Sequence, residues 1–402
     1  MDIYQLLGGG NMYRTLKTPF RASHTTIQQL FDIRRLSGTI WNDCVELARY
    51  YYRLGNKWIT QTELQKELKR LYPLHSQTIQ AVAHKFLAAR EGTKEARKKG
   101  HKNIRYPWKH KFVFHPKWVD DSFSIEGKTL ILSLGNWNGK RQKPLRIRLN
   151  KVPSESIKEV ELVYDRKWYA CLSYDDGIEP KQKEDGVTAS IDPGEIHTIA
   201  SVTEKGDSCV ITGRYMRSIH QLRNKKLKEL QILMSRCKKG SRQWKKYNRA
   251  KRYVLSKSQS QLEDALHKTT KEFVDWCMQH DVKHVVLGNP EGVQRKTRKK
   301  KRKETNQKLS NWSFGKIHDL LTYKLKAKGI TIEKVDESYT SQTCPVCGNR
   351  QKAKGRNYTC KCGYKEHRDL HGARNILTKE LHGKMLYLPI KGATYLRPVT
   401  LG

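Results

Sequence analysis

Cys344-Pro345-Val346-Cys347-Gly348 and Cys360-Lys361-Cys362-Gly363, with His367-Arg368-Asp369-Leu370-His371-Gly372-Ala373-Arg374-Asn375 close behind, form the stretch on which the fold reading turns. Twelve residues separate the two cysteine pairs. Tetrahedral zinc takes four thiolates, and two tight turns that each offer two sulfurs supply them. Gly348 and Gly363 follow the pairs, where a turn backbone needs positive φ. With four sulfurs bound, no position is left for water, so the expected role is structural. A disulfide pair is the competing reading, and it does not suit a reducing compartment. Arg350, Lys352, Lys354 and Arg356 around the pairs are either phosphate contacts or plain surface. The helix that starts behind the second pair carries Asp369 at its beginning; taken alone, that aspartate reads as an N-cap.

Further back, Ala189-Ser190-Ile191-Asp192-Pro193-Gly194 ends an apolar strand on an aspartate just ahead of a turn, which exposes a carboxylate at a sheet end. Between the two aspartates the sequence reads as strands near 198–202 and 209–212, a basic helical stretch over 216–253, and a second helix over 261–280. That second helix puts Leu262, Ala265, Leu266, Thr269, Phe273 and Trp276 on one face. An apolar strand (284–287), a basic tract read as a solvated loop (294–308), a helix (314–328) and a strand (330–335) follow. Carboxylates converging from separate elements can hold two divalent cations about 3.5–4 Å apart, the arrangement that activates water and stabilises a leaving oxygen. Hard oxygen ligands favour Mg²⁺ or Mn²⁺.

The N-terminal half has a different rhythm. Residues 13–24 read as a first strand and turn; 25–71 and 79–89 carry helical stripes such as Leu64, Leu68 and Leu71. From 106 to 174, short apolar runs separated by Gly and Asn turns predict a small barrel. Across the whole chain Lys plus Arg number 80 against 39 Asp plus Glu, a formal charge of +41. That excess far exceeds what solubility requires, and it points to a polyanionic partner. No apolar stretch reaches transmembrane length. Residues 1–11 lack the basic start of a signal peptide. A soluble cytoplasmic protein is expected, in which Cys44, Cys171, Cys209, Cys237 and Cys277 are small buried hydrophobes.

Five segments carry a resemblance. Leu266-His267-Lys268-Thr269-Thr270, Val285-Val286-Leu287-Gly288-Asn289, Asn311-Trp312-Ser313-Phe314-Gly315, Tyr339-Thr340-Ser341-Gln342-Thr343-Cys344 and Arg368-Asp369-Leu370-His371-Gly372-Ala373-Arg374-Asn375-Ile376-Leu377 resemble the TnpB (OrfB) proteins of insertion sequences, the ancestor-like relatives of type V CRISPR effectors. The likeness is specific over about 186–378 and looser before it. It implies an α+β multidomain protein: a wedge-like β-barrel (1–24 and 104–182) with an inserted helical recognition domain (25–103), and an RNase H-like, RuvC-type nuclease domain (183–338 and 364–385). It also implies an inserted zinc ribbon (339–363), and residues 386–402 are left as a tail. The implied activity is RNA-guided cleavage of double-stranded DNA beside a short target-adjacent motif. The guide RNA would derive from the transposon end, and a monomer is favoured.

By motif, Asp192 matches the family's first catalytic aspartate and Asp369 the last. The middle position departs. Many relatives end the strand Val285-Val286-Leu287 on a glutamate, whereas this chain has Gly288. A branch of the family uses a relocated glutamate, and three stand near in sequence: Glu337, Glu333 and Glu291. Glu337 is the expected ligand, because it follows the next strand of an RNase H-like sheet and Gly288 leaves room for it. The expected metal sites are thus Cys344, Cys347, Cys360 and Cys362 for zinc, and Asp192, Glu337 and Asp369 for magnesium or manganese. His267 and His371 are read as packing or capping residues. Two other functions compete: a nuclease-inactive RNA-guided repressor, which Gly288 favours, and a zinc-ribbon RNA-binding protein without a DNA target.

Overall fold

The computed structural model describes residues 13–55, 57–101, 103–177, 180–290, 307, 311, 313–353 and 355–398. Glu291, nearly all of the basic tract 294–308, Trp312 and Lys354 lie outside the described residues. The chain divides into two units, Met1–Ile178 and Glu179–Gly402.

In the first unit, β1 (Tyr13–Arg21) leads into α1 (His24–Gly55), α2 (Gln61–Leu68) and α3 (Ser76–Lys98). Helix α2 starts on a capping box: the Thr60 side chain accepts from Glu63 N, and Glu63 Oε2 accepts from Thr60 N at 2.8 Å. Then come β2 (Lys117–Val119), β3 (Phe123–Glu126), β4 (Thr129–Leu132), the small hairpin β5 (Asn136–Trp137) and β6 (Lys140–Arg141), β7 (Leu145–Leu149), β8 (Ile157–Asp165) and β9 (Lys167–Asp175). Seven of these strands form a sheet in the order β2-β8-β9-β1-β7-β4-β3. Its two edge strands, β2 and β3, are joined by the single turn Asp120–Ser122, so the sheet curls into a nearly closed barrel. Trp118 Nε1 donates to Ser133 O and Ser133 N donates to Ser122 O, both at 2.9 Å, and these bonds fasten the seam. Along β7, Leu145, Ile147 and Leu149 point inward while Arg146 and Arg148 face solvent. The helices and the barrel share one core: Leu30, Ile40, Trp41 and Phe86 pack in the same cluster as Trp118, Leu130, Leu162 and Leu172. An amphipathic helix must bury its stripe against something, and here it buries it on the sheet.

The second unit holds β10 (Val187–Asp192), β11 (His197–Thr203), β12 (Ser208–Thr212), α4 (Arg214–Ser235), α5 (Arg242–Gln279), β13 (Val282–Gly288), α6 (Phe314–Lys326), β14 (Thr331–Val335), β15 (Asn357–Thr359), β16 (Lys365–His367), α7 (Arg368–His382) and β17 (Ala393–Leu396). Six strands form a mixed sheet, β14-β13-β10-β11-β12-β17. Strands β10, β11 and β12 pair antiparallel, whereas β13 runs parallel to both β10 and β14. Every residue of β11 is buried, as in a strand covered on both faces. Helix α7 lays Leu370, Ala373, Ile376 and Leu377 on Ala200, Val202, Val210 and Val286. Each fully buried leucine or isoleucine there contributes roughly 1.5–3 kcal/mol.

Two expectations are corrected. The segment 386–402, expected as a tail, supplies β17, which pairs in parallel with β12 through Cys209↔Thr394 and Ile211↔Leu396. Leu388 and Ile390 also pack on the α7 core. The basic helical stretch breaks at 236–241, not near 254–260. Gly240 takes φ +87° there, and Ser241 caps α5 by accepting from Trp244 N; no Gly or Pro interrupts 254–260. Among the described residues no helix is long and apolar enough to cross a membrane.

Candidate active site and metal centres

Strand register brings the acidic residues together. In β10 and β13, Ile191 pairs with Leu287, so Asp192 and Gly288 stand side by side at the strand ends. In β13 and β14, Gly288 pairs with Val335. The chain then turns, and Glu337 folds back over the glycine. A Cβ built on Gly288 would lie 2.9 Å from Glu337 Oε2 and 2.7 Å from Ile376 Cδ1. The absent side chain is therefore the space that the Glu337 carboxylate uses. From the other side, α7 presents Asp369 in its first turn, with His367 rather than Asp369 at the N-cap. A Cβ on Gly372 would run into Asp192 Oδ2, so this helix approaches Asp192 closely only because residue 372 is glycine.

The cluster resists its own negative charge. Asp192 keeps some solvent exposure, yet it is packed densely enough that burial, and then the charges of Glu337 and Asp369, push its pKa up to about 8. Burial, and then Asp336, push Glu337 up to about 7. A cation placed among carboxylates crowded in this way would favour their ionising together at neutral pH.

Residues matched only as motifs turn out to hold this geometry. Asn375 is fully buried, and its Nδ2 donates to Thr340 O and Thr343 O, both at 2.7 Å. Thr340 in turn donates to Glu337 O through its N–H (3.2 Å) and its Oγ1 (2.9 Å). Ser190 Oγ donates to Ala373 O at 2.7 Å, pinning α7 to β10. Lys379 Nζ bonds Asp336 Oδ2 at 2.6 Å, and that bond is the largest cause holding the Asp336 carboxyl down at about 2. Asn375→Ala strands two buried carbonyls, each costing about 1–3 kcal/mol. It is expected to destabilise the second unit by about 3 kcal/mol, read as a lower denaturant midpoint at unchanged m-value.

The four cysteines converge next to this site. Cys344 Sγ and Cys362 Sγ lie 3.6 Å apart, Cys347 Sγ and Cys360 Sγ 3.5 Å, and all four sulfurs fall within 4.8 Å of one another. Four sulfurs each about 2.3 Å from a tetrahedral ion would stand roughly 3.8 Å apart, so the cluster fits such an ion with little movement. Gly348 and Gly363 have φ of +72° and +91°. Backbone N–H groups of Val346 and Cys347 face the Cys344 sulfur, and that of Cys362, facing Cys360, is the largest cause holding the Cys360 thiol below its ordinary value. Strands β15 and β16 close the ribbon, and Tyr358 stacks on His371 at 3.9 Å between ring centroids.

Glu333 is placed apart from Asp192. It pairs with Val286, two residues short of the strand end, and its Oε1 lies 3.2 Å from His284 Nε2. His371 is wholly buried, bonded to Tyr364 Oη at 3.2 Å, and held neutral by burial, with a pKa of about 4. His267 sits on α5, where its carbonyl accepts from Lys324 Nζ. The histidine that sequence reasoning missed is His197, whose Nδ1 lies 2.6 Å from Asp369 Oδ2. Its only sequence signal was its place at the head of the strand after Asp192.

Residues 169–294 match a family described as probable transposase, OrfB_IS605, and residues 314–376 match the Cas12f1-like TNB domain. A TnpB-like protein of Methanocaldococcus jannaschii is 27% identical over 208 residues, 50% of this chain and 71% of that protein. The CRISPR-associated endodeoxyribonuclease Cas12f1 of Sulfoacidibacillus thermotolerans is 36% identical over 72 residues, 17% of each chain. Thus only about a sixth of that relative's length is spanned. The protein in the cryo-EM structure of a Cas12f1-sgRNA-target DNA complex aligns with a TM-score of 0.65 over 92% of this chain and 99% of its own, at 13% identity, a likeness of fold alone.

Proposed function

Starting from a chain that is a TnpB-type relative of the Cas12 proteins, we propose that it is an RNA-guided DNA endonuclease, cutting beside a short target-adjacent motif by two-metal-ion phosphodiester hydrolysis. The observation that carries this reading is the convergence of Asp192, Glu337 and Asp369 from three elements, with Gly288 vacated for Glu337. The strand order β12-β11-β10-β13-β14, three antiparallel strands followed by two parallel ones, supports an RNase H-like domain of the RuvC type.

The three carboxylates would hold Mg²⁺ or Mn²⁺ by oxygen donors. Two ions bound there would supply a hydroxide nucleophile and stabilise the departing oxygen. Asp192 at the end of β10 and Glu337 just past the end of β14 flank Gly288 of β13, and Asp369 projects from the facing helix, so these residues would hold the ions from both sides. Cys344, Cys347, Cys360 and Cys362 would hold a structural zinc ion that keeps the Glu337 turn in place.

Helix α4 and the first half of α5 fit the grip on nucleic acid. Lys225, Lys226, Lys228, Lys245, Lys246 and Arg249 are exposed there, and Ile219 is the one buried residue of α4. Such contacts position a phosphate backbone without reading its sequence, which guide pairing would supply. Binding of guide RNA is expected to weaken steeply with salt, with log K against log[salt] falling by roughly 0.7–0.9 per phosphate contact; filter binding from 50 to 300 mM NaCl measures the slope. Gly288 by itself favours a binder that does not cut, and Glu337 in the space it leaves removes that support.

The test loads the protein with a guide matching a plasmid site, with randomised flanking sequence and Mg²⁺ present. Guide-dependent cutting that Asp192→Ala abolishes is the expected result. Tight guided binding without cutting by the unaltered protein would overturn the proposal in favour of a repressor.

A further inference from the structure

Asp369 differs from Asp192 and Glu337 in its neighbours. His197, the first residue of β11, sets Nδ1 2.6 Å from Asp369 Oδ2. His367, the last residue of β16, brings its ring to 5.4 Å from that of His197, centroid to centroid. One ring nitrogen from each histidine and one Asp369 oxygen lie within 4.8 Å of one another. Ligands about 2.0–2.2 Å from a shared ion stand roughly 3–4.4 Å apart, so small rotations would bring these three onto a single cation. A second observation points the same way. His367 Nδ1 is buried and has no hydrogen-bond partner among the described residues, a condition that proteins rarely leave unmet.

We propose that His197, His367 and Asp369 form a two-histidine, one-carboxylate site for a first-row transition-metal dication, so that the acidic cluster is asymmetric, with an imidazole-ligated ion at Asp369 beside an oxygen-ligated position at Asp192 and Glu337. Imidazole is a poor ligand for Mg²⁺ and a good one for the transition series, and this donor set leaves coordination positions open. His197 also lines a cleft of about 470 Å³ with Arg214, Tyr215 and Tyr395. The inference deepens the nuclease reading and rests on its assignment of Asp369 as a metal ligand.

The probe is Mn²⁺ added to the zinc-loaded full chain, since Mn²⁺ does not compete for thiolates. Free Mn²⁺ is titrated by electron paramagnetic resonance, and the bound ion is examined by electron spin echo modulation. The expected result is ¹⁴N modulation from imidazole that fades in His197→Gln and in His367→Gln. Each substitution, in protein with unchanged circular dichroism, should weaken Mn²⁺ binding by about 10- to 100-fold, at least the effect of losing an outer-shell partner. Bound Mn²⁺ with no ¹⁴N modulation, released by Asp192→Asn, would overturn the histidine site while leaving the carboxylate site standing. Mn²⁺ binding indifferent to both Asp192→Asn and Asp369→Asn would overturn the two together.

Discussion

Cys360→Ser should cost the protein one equivalent of bound zinc, the fold of residues 344–367 and its DNA cleavage at once. Little apolar core supports this ribbon: Tyr358, Tyr364, Cys344 and Cys360 make up its buried cluster, with Ala353 against it. A structure this small leans on its metal, and structural zinc contributes about 10–16 kcal/mol in finger peptides at neutral pH. Loss of the ribbon would spread to the carboxylate cluster. Asn375 holds the carbonyls of both Thr340 and Thr343, and Thr340 holds the Glu337 carbonyl. Metal analysis, near-ultraviolet circular dichroism and target cleavage measure the three losses. A Cys360→Ser protein that keeps full cleavage would contradict a structural role for the ribbon in placing Glu337.

Gly288→Ala is the second substitution with a large expected effect, although it adds only one methyl group. That methyl would lie 2.7 Å from Ile376 Cδ1 and 2.9 Å from Glu337 Oε2, both inside ordinary contact distance. Ile376 is buried against the sheet and has little room to yield. The carboxylate is the freer of the two, so it is the group that moves. Misplacing a reacting group by about 1 Å can cost on the order of 10²-fold in rate, and a fall of that size in cleavage is expected while binding of guide and target is unchanged. On this account the glycine at the end of β13 and Glu337 just past β14 act together, so a change at either should disturb the same carboxylate.

Much of this site was legible before any coordinates. Asp192 at the end of an apolar strand, Asp369 at the start of a helix and the paired cysteines each carry a local signal, and the glycine at 288 gained meaning once the neighbouring strand end was considered. The strand β17 was not legible. Ala393–Leu396 is four residues long and pairs in parallel with β12, so neither a hairpin turn nor a long alternation announces it. The shared core of helices and barrel was missed for a related reason, since a stripe such as Leu30, Ile40 and Trp41 shows that a helix buries one face and not what covers it. His197 and Asn375 act through tertiary contacts, to Asp369 and to two backbone carbonyls. Their residue types carry no mark of that, and only the fold reveals it.

The claim on which the rest depends is that Glu337 supplies the carboxylate that the strand ending at Gly288 lacks. Cleavage of a matched target by guide-loaded Glu337→Gln, run beside Glu333→Gln with target binding measured in parallel, tests it most directly. Metal ligation contributes several kcal/mol of transition-state stabilisation, and each 1.36 kcal/mol, approximately, is a factor of ten. Cutting by Glu337→Gln should therefore fall by on the order of 10³-fold with binding intact, whereas Glu333→Gln should cut within a few-fold of the unaltered protein. Full cutting by Glu337→Gln would contradict the account and move the third ligand elsewhere in the chain.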